Sequence, residues 1–145
     1  MIMGHEMGHY VLNHVWKGIA CFSVLIVIGL LFVRWGFAYA TRRWSGLGIE
    51  NVADIAGLPL LALLLSIFLF ITSPVSNTIS RIFEHQADNF GLNASHYPDA
   101  AATTFLKLGE YRELDPSPLV EILFFDHPSG RSRILNAMQW KQQHM

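Results

Sequence analysis

The sequence predicts an all-α chain embedded in a membrane, on three observations. Two long stretches carry no charge: Gly18 to Val33 (GIACFSVLIVIGLLFV) and Ile55 to Ser80, whose centre reads LPLLALLLSIFLFI. The composition agrees, since 52% hydrophobic and 14% charged residues over 145 positions, with a mean hydropathy of +0.33, are wrong for an ordinary soluble domain. The segments outside those stretches carry helix punctuation, with proline entering the first turn of two of them.

Met1 to about Lys17 is expected to form one helix, with Tyr10, Val11, Leu12 and Val15 as packing residues. It carries His5-Glu6-Met7-Gly8-His9, which reads H-E-x-x-H. On a helix the two histidines are one turn apart, offset by about 40° and rising about 6 Å, so both imidazoles can reach a single ion. Glu6 falls on the flank of the pair, where its carboxylate reaches a water bound to that ion. Two neutral nitrogen ligands, an open position and a base beside the water are what a zinc hydrolase needs. Gly8 leaves room for substrate or packing, although glycine costs helix stability. The competing reading is an ordinary polar helix start with two surface histidines, and a third protein ligand has to be sought downstream. His14, about 140° round a continuing helix from His9, points away from the metal face and reads as a polar surface or interface residue.

Only Met1-Ile2-Met3-Gly4 precedes His5, with no signal-peptide pattern. A helix that begins on its own ligand is poorly supported, so the chain is expected to be the C-terminal part of a longer protein. Net charge is −1, and the scattered basic residues form no stripe, which argues against a nucleic-acid partner. The one cysteine, Cys21, excludes an intramolecular disulfide and reads as a small buried or lipid-facing residue.

The first apolar stretch, with Lys17 and Arg34 snorkelling and Trp35, Phe37 and Tyr39 at its end, is long enough for a transmembrane segment over residues 18–39. A loop is expected from Arg34 to Asp54, containing Arg42, Arg43, Trp44, Gly46, Gly48 and Glu50. A second transmembrane segment is expected over 55–78, with Pro59 at its start and Pro74 as a kink. Two crossings return the chain to the side it left. Residues beyond Ser80 therefore share a face of the membrane with His5 and His9.

The chain re-emerges as Ser80-Arg81-Ile82-Phe83-Glu84-His85-Gln86-Ala87-Asp88. On a helix Arg81, Glu84 and Asp88 share a face. Glu84 is placed to be the third ligand, and Asp88, one turn on, to accept a hydrogen bond from a ligating histidine and fix its tautomer. The alternative is an exposed helix with a charged face. His85, about 100° from Glu84, is read as structural.

Gly91 to Tyr97 reads as a turn. Pro98-Asp99 opens a helix through about Arg112, with Phe105, Leu108 and Tyr111 as its apolar stripe. Asp115-Pro116-Ser117-Pro118 breaks the chain, and Leu119 to Phe125 is either a helical turn or a strand. Asp126-His127-Pro128-Ser129-Gly130-Arg131-Ser132-Arg133-Ile134 enters a last helix through about Gln143, with Pro128 in its first turn. His127 reads either as a capping residue or as a donor to an oxyanion.

With H-E-M-G-H at the start, an apolar hairpin, S-R-I-F-E-H-Q-A-D, then D-H-P-S-G-R-S-R-I, the chain resembles the integral-membrane zinc endopeptidases (gluzincins) that include the type I CAAX prenyl proteases and the bacterial heat-shock membrane protease. Three separated motifs in order are far more specific than H-E-x-x-H alone. The resemblance implies that His5, His9 and Glu84 bind zinc, that Glu6 is the general base, and that Asp88 supports a ligand from behind. It further implies that His127 assists transition-state stabilisation, that Arg133 matches the family arginine before the last apolar run, and that Arg81 is a structural partner. Two features depart from the family. Ser129-Gly130 stands where a second proline usually follows the H-P pair, and the membrane helices and substrate-binding edge strand that precede H-E-x-x-H in the family have no counterpart in this chain.

The reading is therefore a metal-bearing helix, a transmembrane helical hairpin and a helical C-terminal segment closing over the metal, all within residues 1–145 as one partial peptidase domain. Its expected function is zinc-dependent endopeptidase hydrolysis, with one Zn2+ per chain, a peptide or protein substrate and a lipid bilayer as partners. The rival is a catalytically inactive membrane fragment serving as an anchor or helical interaction segment. The loop arginines Arg34, Arg42 and Arg43 against Glu50 and Asp54 lean toward a cytoplasmic loop. The resemblance instead implies a bacterial inner-membrane protein with its catalytic side in the cytoplasm, and it outweighs a charge count over one short loop.

Overall fold

The computed structural model describes residues 1–49, 52–108 and 113–145. Among them the regular elements are all helical: α1 (Ile2–Val11), α2 (His14–Arg43), α3 (Leu58–Ser95), α4 (Pro98–Leu108), α5 (Pro118–Phe124) and α6 (Gly130–His144), with single 3-10 turns at Ser45–Leu47 and Ile55–Gly57. The all-α expectation holds. The segment left open between helix and strand is α5, whose N-terminus is capped by Ser117 accepting from the Val120 N–H, with Pro118 in its first turn. Glu50 of the expected loop, and Tyr111 and Arg112 of the helix entered at Pro98, lie outside the described residues.

Three boundaries differ from expectation, each for a local reason. The helix expected over Met1 to Lys17 breaks after Val11, because Asn13 takes a left-handed conformation (φ 57°). Asparagine is among the few residues that tolerate it. The loop expected from Arg34 begins only after Arg43, since Phe37 and Ala40 are buried and extend the packed face of α2. The turn expected at Gly91 is helix, and α3 runs on to Ser95 before the chain reverses at His96 (φ 56°). Gly91 is needed for closeness rather than for a turn: a Cβ there would lie 3.0 Å from the backbone nitrogen of His5.

The described residues form two compact units, Ile19–Ser73 and, from both ends of the chain, Met1–Gly18 with Pro74–Met145. In the first, Phe68 lies against Gly29 and Phe32, and Leu64 lies against Gly36. The helices that pass through it are long and apolar enough to cross a membrane. Their most apolar windows have mean hydropathies of 2.3 and 2.5, with only 6% and 11% of those windows buried. A soluble core helix would show the reverse, apolar and covered. Cys21 is exposed on this surface. Pro74 has no N–H to give the Phe70 carbonyl, and the Ser73 hydroxyl donates to that carbonyl at 2.9 Å.

The second unit has its core where α3, α4 and α6 meet, at Leu92, Ala101, Phe105, Ala137 and Trp140. Trp140 Nε1 donates to Asn93 Oδ1 at 2.7 Å, and Asn136 Nδ2 to Asn89 Oδ1 at 2.7 Å. These contacts hold α6 along the last turns of α3. The carboxylates of α3 and the arginine of α6 consequently share one small volume.

Candidate metal centre

Helix α1 lies against α3 along a seam of small residues. A Cβ on Gly8 would meet Ala87 Cα and Phe90 Cβ, both at 3.1 Å, and one on Gly4 would meet Gly91 Cα at 3.1 Å. Gly8 therefore serves packing rather than substrate room. A Gly8→Val chain must push α1 off backbone atoms that cannot yield, and about 1–3 kcal/mol of lost stability is expected. Thermal unfolding in detergent, with metal content measured alongside, should show a lower midpoint and weakened metal retention.

The seam delivers both motif histidines to the carboxylates of α3. The Nε2 atoms of His5 and His9 face each other across 3.2 Å. The Glu84 carboxylate faces both, with Oε2 3.4 Å from His5 Nε2 and Oε1 3.4 Å from His9 Nε2. A tetrahedral zinc ion with bonds of about 2.0–2.1 Å holds its ligand atoms about 3.4 Å apart. Two imidazole nitrogens 3.2 Å apart, each 3.4 Å from a different oxygen of one carboxylate, come close to that spacing, and three protein donors would leave a fourth position for water.

Behind this set lies Asp88, which is 1% exposed. An ionised carboxylate can only accept, so His5 Nδ1–H donates to Asp88 Oδ1 at 2.9 Å, and Nε2 is the ring atom turned toward Glu84 and His9. Arg133 donates to the same carboxylate twice, Nε to Oδ2 at 2.7 Å and Nη2 to Oδ1 at 2.6 Å, and its guanidinium lies 4.2 Å over the Phe105 ring. Burial opposes charge on Asp88, but the hydrogen bonds from His5 and Arg133 outweigh it and hold its pKa below the usual carboxylate value. Glu84 is likewise held low, with the hydrogen bond to His5 and the nearby His127 overcoming the effect of burial. Hydrogen bonds to Asp88 and Glu84 push His5 up to about 9. A metal ligand must be neutral there, so a cation entering the site has to displace that proton.

His127 Nε2 lies 3.5 Å from Glu84 Oε2, while its Nδ1 pairs with Asp126 Oδ1 at 2.9 Å. Ser129 caps α6 by accepting from the Ser132 N–H at 3.3 Å, and its own N–H donates to Glu121 Oε1 at 2.9 Å. Pro128 accordingly precedes the cap rather than entering the first turn. Arg81 Nη1 donates to the Glu121 carbonyl at 2.8 Å and to the Phe125 carbonyl, closing the end of α5 and fixing the approach to His127. Glu6 is exposed on α1 beside His5. His85 pairs with Asn89 at 3.2 Å along α3.

The expectation for His14 is overturned. It is buried, with Nδ1 3.1 Å from His9 Nδ1 and Nε2 3.0 Å from Gln86 Oε1. The 140° offset assumed an unbroken helix, and the left-handed Asn13 swings the chain so that His14 returns to His9. Asparagine at that position was the available signal. Nothing local marked Gln86.

A helix-borne histidine pair facing a glutamate on a second helix is the donor arrangement of metal-dependent peptidases. The chain belongs to peptidase family M48, whose profile matches residues 1–141. It is 37% identical over 139 residues to an uncharacterized metalloprotease, YhfN, of Bacillus subtilis (strain 168), covering 94% of this chain and 33% of that protein. It is 27% identical over 132 residues to a CAAX prenyl protease 1 homolog of Oryza sativa subsp. japonica, covering 88% of this chain and 30% of that protein. The chain thus spans about a third of the length of these curated relatives. No solved structure matches it. The family read from three motifs stands.

Proposed function

We propose that this chain carries the metal centre of a zinc-dependent membrane endopeptidase acting on peptide or protein substrates. The observation that carries the proposal is the spacing of His5 Nε2, His9 Nε2 and the Glu84 carboxylate at 3.2–3.4 Å. Zinc bound by these three residues supplies a water acidified to a pKa of about 7 and a Lewis acid for the scissile carbonyl. Glu6 takes the proton of the attacking water and passes it to the leaving amine. His127 donates a hydrogen bond to the developing oxyanion. Asp88, held by Arg133, keeps the His5 ring in its ligating tautomer, and Arg81 holds the end of α5 that leads to His127. Two helices long and apolar enough to cross a membrane support a membrane location, and we infer the bacterial inner membrane with the site on the cytoplasmic side.

The test is metal content and proteolysis by the full-length protein in detergent. One zinc per chain by elemental analysis is expected, with cleavage of casein or a membrane-derived peptide abolished by a chelator and restored by added Zn2+. A protein that retains no zinc from zinc-replete buffer sinks the proposal. One that retains zinc yet cleaves neither substrate favours a non-catalytic anchor.

A further inference from the structure

We infer that His14, together with Gln86, is the positioning group for His9, fixing the tautomer that turns the His9 Nε2 lone pair toward Glu84. The inference rests on reading His9 as a metal ligand; it brings in His14, which lies outside both motifs, and gives Gln86, within S-R-I-F-E-H-Q-A-D, a role that the resemblance does not assign. The hydrogen bonds allow one direction only. Gln86 Oε1 is an acceptor, so His14 Nε2–H donates to it at 3.0 Å. Neutral His14 then presents Nδ1 as an acceptor, and His9 Nδ1–H must be its donor at 3.1 Å. With its proton committed there, His9 holds its lone pair at Nε2, the atom 3.2 Å from His5 Nε2 and 3.4 Å from Glu84 Oε1.

The surroundings hold His14 in that role. It is 4% exposed, and its ring stacks on Phe83 at 4.7 Å between centroids with 11° between planes. Its backbone arrives through the left-handed Asn13, a conformation disfavoured for most residues and retained where surroundings demand it. Phe83 and Gln86 flank Glu84 on α3, so the same turn that offers the carboxylate also grips the ring behind His9. His5 and His9 are therefore served by different partners, Asp88 on one side and the His14–Gln86 pair on the other.

The test is zinc affinity of the full-length protein by competition with a chromophoric chelator, read beside 15N NMR of histidine-labelled protein without zinc. His14→Phe keeps an aromatic ring stacked on Phe83 but removes the acceptor, and Gln86→Leu leaves the imidazole but frees its tautomer. We expect His14→Phe to weaken zinc binding by about 10–100-fold. The His9 signal should shift from a proton on Nδ1 toward one on Nε2, with the thermal midpoint of the zinc-free protein held. Gln86→Leu should move both readouts in the same direction by a smaller factor, and it decides the matter should His14→Phe not fold. Affinity and tautomer unchanged in the variants, against an unsubstituted protein that binds zinc, overturns the positioning role alone. An unsubstituted protein that binds no zinc overturns the metal-centre reading, and this inference with it.

Discussion

Replacing Glu6 with glutamine is expected to leave zinc content at one per chain and to cut turnover by about a hundred- to ten-thousand-fold. The carboxylate is exposed and is not among the three donors that could hold an ion, so its loss should cost little in metal affinity or folding. Glutamine matches its size and polarity but cannot accept a proton at neutral pH, which isolates the acid–base role. Elemental analysis and kcat for a fluorogenic peptide, measured on one preparation, separate the outcomes. Near-normal turnover would show that another group is the base, whereas loss of zinc would place Glu6 in the support of the site.

Arg133→Met is expected to be the most damaging change away from the donors themselves. It removes two of the hydrogen bonds made to a carboxylate that is 1% exposed, leaving Asp88 with His5. Breaking one side of a buried ion pair costs about 3–5 kcal/mol, because the remaining charge stays desolvated. Methionine preserves much of the packing over Phe105, so the loss is mainly electrostatic. Chemical or thermal unfolding in detergent should show the drop, and zinc affinity should fall with it as the His5 ring loses a fixed acceptor. The double variant Arg133→Met with Asp88→Leu gives a second check. Removing both partners should recover much of the stability, while zinc affinity stays low because His5 still lacks its acceptor. Recovery of both would mean that the pair serves folding only.

The residues that were legible in advance owe it to local periodicity or hydropathy. His5 and His9 are one helical turn apart whatever else the chain does, and two uncharged stretches of spanning length imply a return of the chain that delivers Glu84 and Asp88 to the histidines. Arg133, by contrast, has no periodic relation to Asp88, and the resemblance alone pointed to it. The features that escaped the sequence were set by single residues acting on direction or distance. One left-handed backbone at Asn13 reversed the expected orientation of His14. Gly91 looked like a terminator, and its lack of a side chain is instead consumed by the approach of α1. Neither effect leaves a trace in hydrophobic spacing, because a break and a contact distance are properties of the folded chain.

The small-residue seam at Gly4, Gly8, Ala87 and Gly91 has one more consequence. Where two helices touch through main-chain atoms, their separation has almost no adjustable part: no rotamer can relax it and no longer side chain can restore it. The gap between imidazoles and carboxylate is thereby calibrated by peptide geometry. Residues elsewhere on α1, such as Ile2, Met3, Met7 and Tyr10, lie on its exposed side and take no part in setting that gap.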